Sequence, residues 1–253
     1  NMFTPLLRAM EQIARGDFSV RLETPHARHP DEPLHKLFKG VNDMAQELKQ
    51  MEAMRQEFIS NVSHEIQSPL TSIRGFARAL QNEELSTQER NHYLSIIETE
   101  SMRLSKLSDN LLALAALEAE NMHFDPKPYR LDKQIRNLIL ACEPQWAGKN
   151  IEIEVAVTEV TINADEDLLS QVWVNLLHNS IKFTPDGGSI GVALRPRANQ
   201  VEFRISDSGS GIATEDQARL FERFFKADPS RNRALGGSGL GLSIAKKIVD
   251  MHK

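Results

Sequence analysis

Cysteine is nearly absent: Cys142 stands alone among 253 residues. No disulfide framework can form within the chain, and a reducing compartment is the default reading. No apolar run is long enough to span a bilayer, and no signal-peptide pattern is present. Neither sign of charge dominates. Thirty Lys and Arg stand against 35 Asp and Glu, a net charge of −5, so nothing in the charge balance points to electrostatic binding of nucleic acid or acidic lipid. Aromatics make up only 6% of the chain, while Leu, Ala, Glu and Gln are abundant, a composition suited to helices. There is no internal repeat and no low-complexity tract. The chain opens abruptly at Asn1 and stops at "KIVDMHK" inside a helical pattern, which reads as a fragment of something longer.

What is present is a change of texture along the chain. Leu6, Met10 and Ile13 recur at helical spacing before Gly16, and "GDFSVRLETPHARHP" (16–30) is an extended connector. Leu34, Leu37, Val41, Met44, Leu48, Met51, Arg55, Phe58 and Val62 then alternate steps of three and four, a heptad seam broken only by Arg55. From Val62 the apolar positions are Ile66, Leu70, Ile73, Ala77 and Leu80; two successive steps of four unwind the seam locally. "NEELSTQER" (82–90) breaks the pattern, and a second helical run holds Leu94 to Leu117. Two helices joined by a short polar loop predict an antiparallel hairpin, and so small a core predicts dimerisation into a four-helix bundle. Two prolines in "ENMHFDPKPY" (120–129) mark a linker. Beyond it a mixed α/β domain is expected: helices over 131–146, 167–183, 214–225 and from 241, and strands over 151–157, 189–195 and 201–207.

Within the first long helix, "SNVSHEIQSPLT" (60–71) places His64 opposite the apolar seam and so in water. An exposed neutral imidazole is a good nucleophile near its own pKa. Glu65 can accept a hydrogen bond from Nδ1–H and leave the Nε2 lone pair free. Pro69 removes a backbone donor and crowds the carbonyl of Glu65, so the helix is expected to bend where the seam slips. The bland alternative is a solvated histidine beside an incidental proline.

Three further segments suit a nucleotide. In "QVWVNLLHNSIKFT" (171–184), Asn175 and Asn179 share a helix face, their amide oxygens suit Mg²⁺, and Lys182 lies within reach of phosphate. "SDSGSGI" (206–212) ends a strand in Asp207, whose carboxylate can accept from an adenine amino group, followed by Gly209 and Gly211. "LGGSGLGLSIAKK" (235–247) is a glycine-rich loop opening a helix, a phosphate-binding arrangement. It is no P-loop, having no Lys after the last glycine, and no Rossmann turn, having no preceding strand. The segment between Gly211 and Gly237 carries Phe221, Phe224 and Phe225 and has glycines at both ends, as a lid would. Taken singly, each has a plain structural reading as exposed polar residues, a tight turn or a surface excursion.

Their order is the stronger signal. "SHEIQSPLT", "NLLHNSIKFT", "DSGSGI", "LFERFFKAD" and "GGSGLGLSIAKKIV" resemble, in sequence, the phospho-acceptor box, N box, first glycine box, phenylalanine box and second glycine box of the sensor histidine kinases. The resemblance covers about residues 55–253. Residues 1–54 resemble a HAMP linker more loosely, through Pro5, "GDFSV" and "DEPLHKL". The resemblance implies a multidomain fold. An all-α coiled-coil and four-helix-bundle dimer, with the phosphotransfer hairpin at 55–122, precedes an α/β sandwich of the Bergerat type at 126–253 that binds ATP and Mg²⁺ and lacks its last strands. It implies that His64 is phosphorylated, with Glu65 orienting the ring, and that Asn175 and Asn179 hold the metal and Lys182 phosphate. It implies that Asp207 reads adenine, that Gly209, Gly211, Gly237, Gly239 and Gly241 shape the pocket and lid, and that Ser238 and Lys226 meet phosphate. The partners implied are a second copy of the chain and a response regulator with an acceptor aspartate. The setting implied is the cytoplasmic portion of a bacterial inner-membrane protein.

The acceptor box departs from the family's usual His-Glu-Leu-Arg-Thr-Pro. Gln67 replaces the basic residue, and Ser68 replaces the threonine that helps place a water for dephosphorylating the regulator. Ser68 keeps the hydroxyl but loses the rotamer-restricting methyl, so the departure bears on phosphatase activity rather than kinase activity. Three rival readings compete: an ATPase of the wider Bergerat class, a non-catalytic dimeric scaffold, and zinc binding through "HARH" (26–29), where no cysteine or carboxylate cluster supports the histidines. Cys142 reads as a small buried hydrophobe.

Overall fold

A computed structural model describes residues 4–23, 33–119, 122–198, 200–227 and 237–252. The chain divides into two compact units, residues 1–66 and 67–253. "HARH" (26–29) lies outside the described residues.

The first unit holds α1 (Thr4–Ala14) and the greater part of α2 (Pro33–Ala79). The apolar spacing of α1 buries Leu6 and Ala9. In this part of α2, among the described side chains, Phe38, Val41 and Ala45 are buried, while Leu37, Met44 and Met51 of the expected seam are 45%, 42% and 57% exposed. The connector after α1 runs along this helix: the Asn42 amide donates to the Leu22 carbonyl and accepts from the Leu22 N–H, both at 2.8 Å. One asparagine thus satisfies a stretch of backbone that has no strand partner of its own.

In the second unit, α2 passes through Pro69, which is fully buried, as a single helical element. α3 (Thr87–Glu118) begins at a capping box. The Ser86 hydroxyl accepts from the Glu89 N–H, and the Glu89 carboxylate accepts from the Ser86 N–H at 2.9 Å. Phe76 and Tyr93, with ring centroids 5.2 Å apart, bring the two helices together next to the loop, as a hairpin requires.

The α/β part runs β1 (Lys127–Arg130), α4 (Leu131–Ala141), α5 (Glu143–Gly148), β2 (Glu152–Val157), β3 (Thr161–Ala164), α6 (Glu166–Phe183), β4 (Ser189–Arg197), β5 (Gln200–Asp207), α7 (Thr214–Gln217) and α8 (Gly241–Met251). β4 is central in a three-stranded sheet, parallel to β2 and antiparallel to β5; β1 and β3 form a separate antiparallel pair. Alternation along β4 buries Ile190, Val192 and Leu194. They join a core of Ile135, Ile139, Val172, Leu177, Ile181, Ile244 and Ile248 from α4, α6 and α8. Gln134 is a buried polar hub: its Oε1 accepts from the Tyr129 hydroxyl and the Trp173 indole, both at 3.0 Å, and its amide donates to the Glu166 carbonyl at 2.7 Å. Burial, with Glu166 and Asp165 nearby, pushes the Tyr129 phenol well above its ordinary range.

Several elements differ from the sequence expectations. The helix expected over 131–146 breaks at Cys142, because Pro144 offers no N–H and crowds the carbonyl of Leu140. The helix expected over 214–225 stops at Gln217. From there the chain turns, and Phe224, at φ +61°, donates its N–H to the Gly239 carbonyl at 3.0 Å rather than continuing a helix. β1 and β3, four residues each, were not foreseen. Cys142 is buried as expected, and burial raises its thiol pKa.

Candidate nucleotide and phospho-acceptor sites

α6 carries several of the candidate residues and is held at both ends. Asp165 caps its N-terminus by accepting from the Leu168 N–H at 3.0 Å. At its C-terminus the Lys149 ammonium donates to the carbonyls of Ile181 at 2.9 Å and Thr184 at 2.5 Å, and the Thr184 hydroxyl donates to the Ser180 carbonyl at 2.6 Å. A cation on those last carbonyls also complements the helix dipole. Leu169, Val172, Leu177 and Ile181 face the core, which leaves Asn175, His178, Asn179 and Lys182 half-buried along one flank.

The second glycine loop closes on this flank. A Cβ on Gly241 would stand 2.7 Å from Asn175 Oδ1, and one on Gly237 would stand 3.0 Å from Lys182 Nζ. Gly239, at φ +74°, lies against the Phe224 and Phe225 backbone, where a Cβ would approach to 2.7 Å. Glycine is therefore required for the loop to meet both α6 and the phenylalanine segment. Burial of the ammonium, reinforced by the charges of Lys226, Lys106 and Arg103, pushes Lys182 down to about 8. Burial, with Lys106 beside it, lowers His178 as well. Ser238 Oγ accepts from the Asn110 amide of α3 at 3.2 Å.

The first glycine turn lies at the C-terminal end of α6, next to Lys182. Asp207 is exposed at the end of β5, and its Oδ1 accepts from the Gly209 N–H at 3.0 Å. A Cβ on Gly209 would stand 2.9 Å from the Phe183 carbonyl, so this turn seats directly on the C-terminus of α6. Gly211 follows at φ +71°. The arrangement fits a magnesium nucleotide: amide oxygens beside a cluster of cations along the flank of α6, and a carboxylate in a glycine turn seated on the C-terminus of that helix.

On α2, His64 is exposed, Glu65 half-buried and Ser68 exposed. His64 and Glu65 belong to the first compact unit, and Ser68 with the candidate residues of α6 and the glycine turns to the second.

Two family models match this chain. The His Kinase A (phospho-acceptor) domain matches residues 54–120, and the Histidine kinase-, DNA gyrase B-, and HSP90-like ATPase matches residues 164–253. The chain is 31% identical over 248 residues to the signal transduction histidine-protein kinase BaeS of Escherichia coli, covering 98% of this chain and 52% of BaeS. It is 36% identical over 245 residues to the heme sensor protein HssS of Staphylococcus aureus, covering 96% of this chain and 51% of HssS. The solved structure of full-length ShkA in complex with AMPPNP is similar at a TM-score of 0.55 and 31% identity, over 77% of this chain and 40% of ShkA. The chain belongs to the sensor histidine kinases.

It spans about half the length of the curated relatives it matches. The histidine-kinase phospho-acceptor match includes His64, which removes the rival reading of a Bergerat ATPase without a phosphotransfer hairpin. Residues that sequence reasoning missed in this histidine kinase are Lys149, His178 and three on α3: Arg103, Lys106 and Asn110. The signal for the last three was legible. They recur at steps of three and four on one helix face, a polar stripe beside the leucines that drew attention. Lys149 carried no local signal, since its partners lie more than thirty residues away.

Proposed function

We propose that this histidine kinase transfers the γ-phosphoryl group of Mg-ATP to Nε2 of its own His64 and then to an aspartate of a response regulator. The observation that carries the reading is the pairing of an exposed His64 in the phospho-acceptor segment with a glycine-closed cradle on α6. ATP supplies the electrophilic phosphorus, and Mg²⁺ neutralises charge on its oxygens. The imidazole Nε2 lone pair forms the P–N bond as the bond to the leaving ADP oxygen breaks, and Glu65 takes up the proton that Nδ1 releases. Asn175 and Asn179 offer amide oxygens to the metal, Lys182 and Lys226 hold phosphate oxygens, and Ser238 donates from the loop. Asp207 accepts from the adenine amino group, and Gly209 and Gly211 let backbone close over the base. Positioning and charge stabilisation dominate such chemistry.

Exposed apolar side chains on α2 and α3 support a homodimer: Met54, Ile59, Leu70, Leu94 and Met102 are all between 47% and 61% exposed in the single chain. Residues 1–54 are read as a HAMP-type linker that brings input from a membrane-anchored region of a longer bacterial protein, leaving this portion in the cytoplasm. No described helix is itself long and apolar enough to cross a membrane. Ser68, with its hydroxyl exposed, is assigned to hydrolysis of the phosphorylated regulator, at lower efficiency than a threonine would give.

Incubation with Mg²⁺ and γ-labelled ATP tests the reading. The expected product carries an acid-labile, base-stable label that disappears in His64→Gln. A label that survives in His64→Gln, or one stable to acid, would contradict it. Nucleotide binding with no label in a dimeric protein would support the scaffold reading instead.

A further inference from the structure

The second helix of the phospho-acceptor hairpin reaches into the nucleotide site. Arg103, Lys106, Asn110 and Ala113 lie at steps of three, four and three, so they share one face of α3. Lys106, Asn110 and Ala113 form one wall of a cleft of about 370 Å³ whose other wall includes Asn175 and His178 of α6. The Asn110 amide donates to Ser238 Oγ in the glycine loop, so α3 touches the loop assigned to phosphate. Arg103 and Lys106 add positive charge around Lys182, which already has Lys226 nearby. Asp109 lines the same cleft, and the Glu100 carboxylate lies 3.7 Å from Arg103. Bringing cations from α3, α6 and the phenylalanine segment to one place costs Coulomb energy unless an anion joins them. A polyanion in this cleft would offset the repulsion and tie α3 to α6.

We propose that Lys106 and Asn110 of α3 bind the phosphates of the nucleotide, so that the hairpin itself completes the phosphate site. The inference rests on the nucleotide reading above and deepens it. It assigns the hairpin a binding role besides carrying the acceptor, and it makes nucleotide affinity depend on where α3 lies. By reciprocity, phosphate-bearing nucleotides favour the arrangement in which α3 is docked on α6.

Calorimetric titration of the whole chain with Mg-ATP and with adenosine tests this in wild type, Lys106→Gln and Lys106→Arg. A charge-assisted hydrogen bond to phosphate predicts that Lys106→Gln weakens Mg-ATP about fivefold to tenfold. Adenosine, which has no phosphate, is expected to bind Lys106→Gln as it binds wild type, and Lys106→Arg is expected to restore most of the Mg-ATP affinity. Equal Mg-ATP affinity in wild type and Lys106→Gln would overturn the inference alone. A parallel loss of adenosine affinity would also overturn it, by showing a structural role for Lys106. Failure of the wild type to bind Mg-ATP would overturn the nucleotide reading and this inference with it.

Discussion

Lys182 occupies a position where burial and neighbouring cations oppose its charge, which brings its pKa from 10.5 down to about 8. Below that pH the side chain is an ammonium and attracts phosphate; above it the side chain is neutral. A bound polyanion favours the ammonium and raises its pKa again. Mg-ATP affinity is therefore expected to fall as pH rises from 7 to 9.5, with proton uptake on binding that is largest between pH 8 and 9. Titrations in two buffers of different ionisation enthalpy measure that uptake. Lys182→Arg, which cannot lose its charge, is expected to flatten the profile. A flat wild-type profile would remove Lys182 from the phosphate site. That Lys182 shares a flank of α6 with Asn175 and Asn179 was legible in the sequence, because residues three and four apart lie on one helix face. The environment of Lys182 was not, because Lys106 and Arg103 approach it from a helix more than seventy residues earlier in the chain.

Among the elements, the long helices were the easiest to foresee and the short strands the hardest. α2, α3 and α6 each repeat an apolar face over several turns, so periodicity locates them within a few residues. β1 and β3 are four residues long, and Pro128 lies within the first, too short for alternation to register. The segment after Thr214 has a helical pattern, yet its phenylalanine backbone serves the Gly239 loop instead. A tertiary hydrogen bond decides that conformation, and local propensity cannot reveal it. The hairpin loop illustrates the opposite case. Ser86 and Glu89 satisfy each other's backbone donors at the start of α3, a purely local device. Ser86→Ala is expected to destabilise the hairpin by about 1 kcal/mol, and Ser86→Asp, another good N-cap residue, to cost far less. Thermal unfolding monitored by helical circular dichroism checks this; an Ala variant as stable as wild type would deny the cap its role.

For the whole molecule, the order of motifs along the chain conveyed the function before any geometry was known. The histidine proposed as acceptor comes first, the asparagines proposed for the metal next, and the glycine turns proposed for adenine and phosphate last. Periodicity could mark a seam on α2 but could not divide it between surfaces. Phe38, Val41 and Ala45 are buried within the single chain, while Leu37, Met44 and Met51 remain exposed. Asn42, next to Val41, also fastens the Leu22 backbone, a contact from twenty residues earlier that periodicity does not register. The proposed function requires that this chain place phosphate on one imidazole nitrogen. Tandem mass spectrometry of the protein after Mg-ATP treatment, with digestion kept at alkaline pH, tests it most directly. The account predicts a single added phosphoryl group, mapped to His64 within residues 60–71. Phosphate found at another residue, or an unmodified His64 in protein that has consumed ATP, would contradict it.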